Sequence, residues 1–329
     1  MSINIGPLET RTRVILAPMS GVTDAPFRRL ARRLGARLVV SEMIASDAMI
    51  REVRDEMRKM STDCAEEYPM AVQLAGADPE TMAEAARLNV DRGAAVIDIN
   101  FGCPAKRVVN KLCGSGILRD EVLAGRIMEA TVAAVDVPVT MKMRTGWDDA
   151  SRNAPRIAKI AEDCGIQMIT VHGRTRCQFY KGAADWAFIR SVKDAVTVPI
   201  VANGDITDAT SAAACLQESG ADGVMIGRGA QGKPWLIGQV DAVLDGRPVP
   251  AEPTVAEQLE IVLTHYDDML LHYGKHQGSR IARKHICWYS KGLSGSADFR
   301  ASVNRIDEPA DVQASISAFY DAAAERMAA

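Results

Sequence analysis

Short apolar runs rich in Val, Ile and Met recur along the first two thirds of the chain, separated by longer stretches of helix-forming residues. They fall at Val14 to Ala17, Leu38 to Glu42, Met70 to Leu74, Val96 to Asn100, Val139 to Arg144, Met168 to His172, Ile200 to Asn203 and Gly223 to Gly227. Runs that are almost continuously apolar, rather than alternating, suit strands buried on both faces. Segments between them, such as Pro79 to Arg92 and Asp120 to Val135, carry Ala, Glu, Met and Arg and are long enough for a parallel crossover. Eight βα units predict a closed (β/α)8 TIM barrel. An open doubly wound sheet would want a G-x-G-x-x-G turn after an early strand, and none follows the first or second run.

After Arg228 this rhythm stops. The segment Asp245-Gly-Arg-Pro-Val-Pro-Ala-Glu-Pro253 gathers turn formers, and helical patterns resume over Thr254 to Tyr273, Gly278 to Gly292, Ala297 to Asn304 and Asp307 to Met327. The expected organisation is an α/β barrel over 1–245 followed by a C-terminal all-α helical-bundle domain over 246–329.

Composition narrows the functional classes. With 47% hydrophobic and 25% charged residues in 329, the chain can bury a full core, which excludes large-scale disorder. Met1 to Leu16 lacks a signal-peptide pattern and no apolar run reaches the ~18 residues of a membrane span, so a cytoplasmic protein without membrane attachment is expected. Cys64, Cys103, Cys113, Cys164, Cys177, Cys215 and Cys287 form no C-x-x-C pair, which predicts free thiols and no metal site. The net charge of −3 argues weakly against a general nucleic-acid binder. Between Lys275 and Arg305, however, seven Lys or Arg face Asp298 alone, a local balance of +6. Such a run is commonly a solvated helix face, but His285, Trp288 and Tyr289 lie within it and can stack on bases.

Barrel enzymes place their chemistry at the C-terminal ends of the strands. The first run ends in Ala17-Pro-Met-Ser-Gly-Val-Thr-Asp24, a tight turn able to lie beside a flat ligand. Gln73 and Lys142 are polar groups inside apolar runs, and burying either without a partner is costly. Gln73 is equally compatible with a satisfied core amide and a ligand. Lys142 wants an anionic or electron-rich partner such as a reduced flavin, and His172 at the end of the sixth run could assist. Ala202-Asn-Gly-Asp-Ile206 and Ile226-Gly-Arg-Gly229 end the seventh and eighth runs, where barrels frequently hold phosphate. Cys103, near Lys106 and Arg107, is either a small buried thiol or an acid or nucleophile.

Taken together, Ala17 to Asp24, Asp98-Ile-Asn-Phe-Gly-Cys-Pro104, Met141-Lys-Met-Arg-Thr-Gly146, His172-Gly-Arg-Thr-Arg176 and Asn203-Gly-Asp-Ile206 resemble the motifs of tRNA-dihydrouridine synthases. The tail's Arg280-Ile-Ala-Arg-Lys-His285 and Trp288-Tyr289 resemble that family's helical RNA-binding domain, especially in its bacterial B-type branch. The resemblance implies FMN as cofactor, NADPH (or NADH) as transient donor, and reduction of the uracil C5–C6 double bond in tRNA. A monomer is expected. It implies that Pro18, Met19 and Ser20 line the flavin, that Gln73, Lys142 and His172 contact its ring, and that Asn203, Gly204, Asp205, Gly227 and Arg228 serve its phosphate. Cys103 would protonate C5 while flavin N5 delivers hydride to C6. Asn100 would orient the base, and Lys106, Arg107, Arg174, Arg176, Arg280, Arg283 and Lys284 would hold RNA. Ser20 stands where family members commonly have alanine. The competing readings are an FMN barrel reducing a small enone or pyrimidine, and a flavin-free RNA-binding regulator.

Overall fold

The computed structural model describes residues 2–46 and 67–328, so Cys64 lies outside the described residues. Eight parallel strands form the predicted ring: β1 (Val14–Leu16), β2 (Leu38–Val40), β3 (Met70–Ala75), β4 (Val96–Phe101), β5 (Val139–Arg144), β6 (Ile169–His172), β7 (Ile200–Asn203) and β8 (Gly223–Ile226). Each pairs with its neighbours in order. β8 pairs with β1, and β2 pairs with both β1 and β3, which closes the barrel. All eight coincide with the apolar runs to within two residues, because a strand buried on both faces must be apolar almost throughout.

Two layers of packing hold the ring. Its interior is filled by Ile15, Leu38, Ala71, Val96, Val201 and Met225, with Ile3 and Ile5 of an N-terminal hairpin packed among them. A Cβ on Gly223 would collide with Ile3 and the Arg13 carbonyl, so the hairpin plugs the N-terminal end and leaves the other end open. Outside, the strands pack against α1 (Ala25–Arg33), α2 (Pro79–Val90), α3 (Glu121–Ala133), α4 (Ala154–Asp163), α5 (Trp186–Lys193), α6 (Ala209–Ser219) and α7 (Leu236–Leu244).

Four tail helices follow: α8 (Val255–Tyr273), α9 (Lys275–Tyr289), α10 (Ser296–Val303) and α11 (Pro309–Ala328). Thr254 and Glu257 form a reciprocal capping box that starts α8 after the proline-rich segment. The sequence pattern starts the second tail helix at Gly278, but α9 begins at Lys275 and carries Gly278 in its interior. A Cβ there would come within 2.5 Å of the Met269 carbonyl, so the glycine lets α8 and α9 approach closely. The tail has its own core, including Val262, Tyr266, Ile286, Val303 and Ile316, and this core takes in Leu30 of α1 and Trp235 before α7. Tyr273 donates to Asp24 Oδ2 at 3.0 Å and Arg33 to Asp268 at 2.9 Å, tying the tail to the sector of the ring around β8 and β1. Among the described residues no helix is long and apolar enough to cross a membrane.

Candidate active site

A cavity of about 780 Å³ opens at the C-terminal end of the ring. Its lining includes Pro18, Met19 and Ser20 from the β1 turn, Gln73, Asn100, Cys103 and Arg107, Lys142, His172, Asn203, Gly204, Asp205, Gly227 and Arg228. Residues scattered over more than two hundred positions meet here because parallel strands deliver all their C-terminal ends to one face.

The register sets the floor. Asn100 stands opposite Lys142 across β4 and β5, and Asn203 opposite His172 across β6 and β7. Lys142 Nζ donates to Asn203 Oδ1 at 3.1 Å, and Asn203 Nδ2 donates to the Met225 carbonyl at 2.7 Å. Burial, reinforced by Arg144, lowers the Lys142 ammonium to about 8, against the pull of Asp98. It therefore keeps its proton at neutral pH but holds it less tightly than a surface lysine. His172 is 8% exposed. Burial and then Lys142, Arg144 and Arg174 drive its imidazole well below the usual range, so it is neutral.

Gln73 resolves an ambiguity left by the sequence. It is a satisfied core amide that also faces the cavity: Nε2 donates to Asp98 at 2.7 Å and Oε1 accepts from Asn100 Nδ2 at 2.6 Å. Asp98 also accepts from Thr140 at 2.7 Å, and burial raises its carboxyl above the ordinary range. Asn100 passes this order onward, its Oδ1 accepting from the backbone N–H of Gly102 at 3.0 Å and of Cys103 at 2.9 Å. A hydrogen-bonded chain thus runs from Asp98 through Gln73 and Asn100 to the turn that presents the Cys103 thiol.

The corner after β7 is glycine-dependent. Gly204 has φ +119°, and a Cβ there would lie 2.7 Å from Ala184 Cβ and 3.0 Å from the His172 ring. Asp205 follows, its carboxylate accepting from Arg174, from the Ala184 N–H at 2.8 Å and from Arg228 at 3.4 Å. The Asp205 side chain therefore anchors the arginines around the corner. The exposed Arg228, over the Tyr180 ring at 4.8 Å, presents donors at the cavity rim.

Several expected RNA contacts sit elsewhere. Arg174 is only 2% exposed. Its guanidinium is held by Asp205, the Lys181 and Gly182 carbonyls and His172 Nε2, which leaves it no surface for RNA. Arg283 turns into the tail, donating to the Ile306 carbonyl and to Asp307, both at 3.0 Å. His285 and Tyr289 are buried in the core between α1 and the tail, so neither is available to stack on a base; the partly exposed Trp288 lies against His285. Lys106, Arg107 and Arg280 are exposed, and Lys284 reaches the β1 turn, its Nζ close to Gly21.

Other lining residues were not singled out from sequence. Arg144, 2% exposed, donates to the Gly102, Thr175 and Phe179 carbonyls and so clamps the Cys103 turn to the loop after β6. A charged residue ending a buried strand was its available signal, as was a carboxylate amid apolar neighbours for Asp98. Tyr180 and the tail residue Lys291 also line the cavity, and nothing local in the sequence marks either.

The chain matches the family model described as "Dihydrouridine synthase (Dus)" over residues 15–325. It is 56% identical over 323 residues, covering 98% of both chains, to a protein from Rickettsia conorii named probable tRNA-dihydrouridine synthase. It is 51% identical over 318 residues, 97% of this chain and 95% of the other, to tRNA-dihydrouridine synthase B of Xanthomonas axonopodis pv. citri. Among solved structures it superposes on the old yellow enzyme homologue from Zymomonas mobilis with a TM-score of 0.54, at 15% identity, over 77% of this chain and 94% of that one. That last likeness concerns the barrel fold.

Proposed function

This chain belongs to the dihydrouridine synthase family, and from that premise we propose that it reduces the C5–C6 double bond of uridine in tRNA as a monomeric, cytoplasmic FMN enzyme supplied with electrons by NADPH or NADH. The observation that carries the reading is that a cationic Lys142 and the thiol of Cys103 open onto one cavity whose rim bears glycine turns and an arginine.

The residues present fit FMN. Met19 and Pro18 offer an apolar flank, while Lys142 has, among the described residues, the neutral Asn203 amide as its hydrogen-bond partner and can receive anionic character. Gly227 adds no side chain beside Met19, and Arg228 remains exposed to hold phosphate. Pro18, Met19, Ser20, Gln73, Lys142 and His172 would surround the ring, and Asn203, Gly204, Gly227 and Arg228 would serve the ribityl phosphate. Asp205 would act through Arg174 and Arg228. When bound, the flavin supplies a hydride to C6 of uracil.

The remaining roles belong to the chain. Asn100 fixes the turn through its contacts to Gly102 and Cys103, so that Cys103 Sγ can give its proton to C5. Neutral His172 adds no further cation beside Lys142, Arg144 and Arg174. The uridine must leave its stack to reach the thiol, and exposed Arg107, Arg280 and Lys291 provide cations around the mouth and on the tail. The barrel of 1–245 would then be the catalytic unit and 246–329 the tRNA-holding unit.

The test is anaerobic single turnover of NADPH-reduced protein with unmodified tRNA, with dihydrouridine quantified by mass spectrometry. Flavin reoxidation matched by product is expected, with Cys103→Ala binding FMN normally and forming little product. A reducible flavin indifferent to tRNA would move the assignment to a small enone or pyrimidine. A protein that cannot be reconstituted with FMN would move it to a flavin-free RNA-binding role.

A further inference from the structure

A second cavity, of about 1010 Å³, lies on the same end of the barrel beyond the Cys103 turn, lined by Arg119, Trp147, Arg152 and Arg156 among others. Trp147 follows β5, and two guanidinium groups from the neighbouring loops lie against its indole. Arg119, after β4, has Cζ 4.8 Å from the ring centroid, and Arg176, after β6, has Cζ at 4.6 Å. The loops are laced together by backbone bonds from Arg176 to the Gly146 carbonyl and from Cys177 to the Trp147 carbonyl, both 2.9 Å.

Arginines and carboxylates are equally numerous in the lining of this cavity, but they are differently engaged. Glu121 accepts from Asn153 at 2.7 Å and pairs with Arg156, Asp120 caps the N–H of Leu123, Asp148 accepts from Ala150 and Ser151, and Arg152 pairs with Asp185. Among the described residues, Arg119 and Arg176 pair with no carboxylate, and Arg176 Nε is buried without a hydrogen-bond partner. The run from Gly102 to Arg119 also carries Lys106, Arg107 and Lys111 and contains no Asp or Glu. A guanidinium stacked on an aromatic face is held in orientation, and the exposed Arg119 keeps N–H groups open to an oxyanion, with Arg176, also stacked on Phe179 at 4.9 Å, adding partly buried positive charge behind it.

We propose that Arg119 and Arg176, splinted by Trp147, form a phosphate clamp for the backbone of the RNA substrate. The proposal rests on the reading that RNA reaches this barrel mouth, and adds a second anchoring point to it. In a ring of eight, β5 stands across from β1, and the tail docks around β1 and β8 through Leu30 and Trp235. RNA whose uridine enters the mouth would thus be held by the tail on one side and by this clamp on the other. Backbone contacts of this kind fix register without reading sequence.

The experiment uses the FMN-loaded full chain and an unmodified tRNA transcript, with affinity measured across a salt series and flavin content as the folding control. Arg119→Ala should weaken binding about threefold to tenfold and make the dependence of log K on log salt shallower by about one phosphate contact. Trp147→Leu should do the same although it removes no charge, because both guanidinium groups lose their support. Wild-type affinity and salt slope in Arg119→Ala would overturn the clamp even if Trp147→Leu failed to fold. Unchanged tRNA affinity with a raised KM for NADPH would also overturn it, giving these cations to the donor. Failure of the synthase reading is distinguishable: wild type would then form no dihydrouridine, while the clamp is judged on affinity alone.

Discussion

Replacing Asn100 by alanine tests whether the hydrogen-bonded chain behind Cys103 positions the thiol. Asn100 is 7% exposed and makes three short bonds, to the N–H groups of Gly102 and Cys103 and to Gln73 Oε1. A buried group left unpaired loses about 1–3 kcal/mol. Gly102 and Cys103 are only half-buried, so water from the cavity can reach them, and the loss in stability should be about 2–3 kcal/mol rather than the sum of three full penalties. Against a domain stability of about 5–15 kcal/mol the variant still folds. The functional loss should be larger, because a turn without its acceptor no longer holds the thiol in one place, and misplacement of about 1 Å can reduce a rate on the order of 100-fold. Urea denaturation would read the first effect and single-turnover dihydrouridine formation the second, both with FMN saturating. Asn100→Asp, which keeps an acceptor for the two N–H groups but loses the donor to Gln73, should fall between wild type and alanine. A wild-type single-turnover rate in Asn100→Ala would refute the positioning argument. A rate loss fully recovered by raising FMN would show that Asn100 acts on flavin binding instead.

Other outcomes follow from the same geometry. Arg280→Ala should weaken tRNA binding and flatten its salt dependence, whereas Arg283→Ala, which removes the bonds to Ile306 and Asp307, should lower the tail's stability by about 1 kcal/mol and leave RNA affinity unchanged; salt-series binding and denaturation separate the two. Because burial lowers Lys142 to about 8, its ammonium is charged below that pH and lost above it, so FMN affinity of the stripped protein should fall as pH rises through about 8, and this step should be absent from Lys142→Met in a fluorescence titration. His265 and His285 are buried with ring centroids 4.8 Å apart, and burial lowers both pKa values, that of His265 to about 3. The unfolded chain binds their protons first, so their contribution to stability is present above the unfolded value of about 6.5 and is lost as pH falls below it toward each folded value, about 3 for His265. His285, whose ring nitrogens both lack partners among the described residues, should give a more stable and less acid-sensitive protein when replaced by leucine, read from the thermal midpoint between pH 5 and 7.

The sequence by itself determined the ring and the polar groups it exposes at one end. Eight runs were legible because burial on both faces forces a nearly unbroken apolar pattern, and Lys142, Gln73 and His172 stood out because a polar side chain in such a run must find a partner. The helical tail and its basic excess were visible for the same reason, local composition. Partnership was not legible, since hydrogen bonding and burial are set by residues far apart in the chain. Only the tertiary structure decided that Gln73 links Asp98 to Asn100, that Arg174 is enclosed by the β6 and β7 loops, and that the Asp205 carboxylate anchors arginines. The same holds for His285 and Tyr289. A helix shows every residue to sequence reading as equally available, but docking α9 against α8 and α1 turned those two rings inward and left Arg280 outside, because the face that buries the most apolar surface wins.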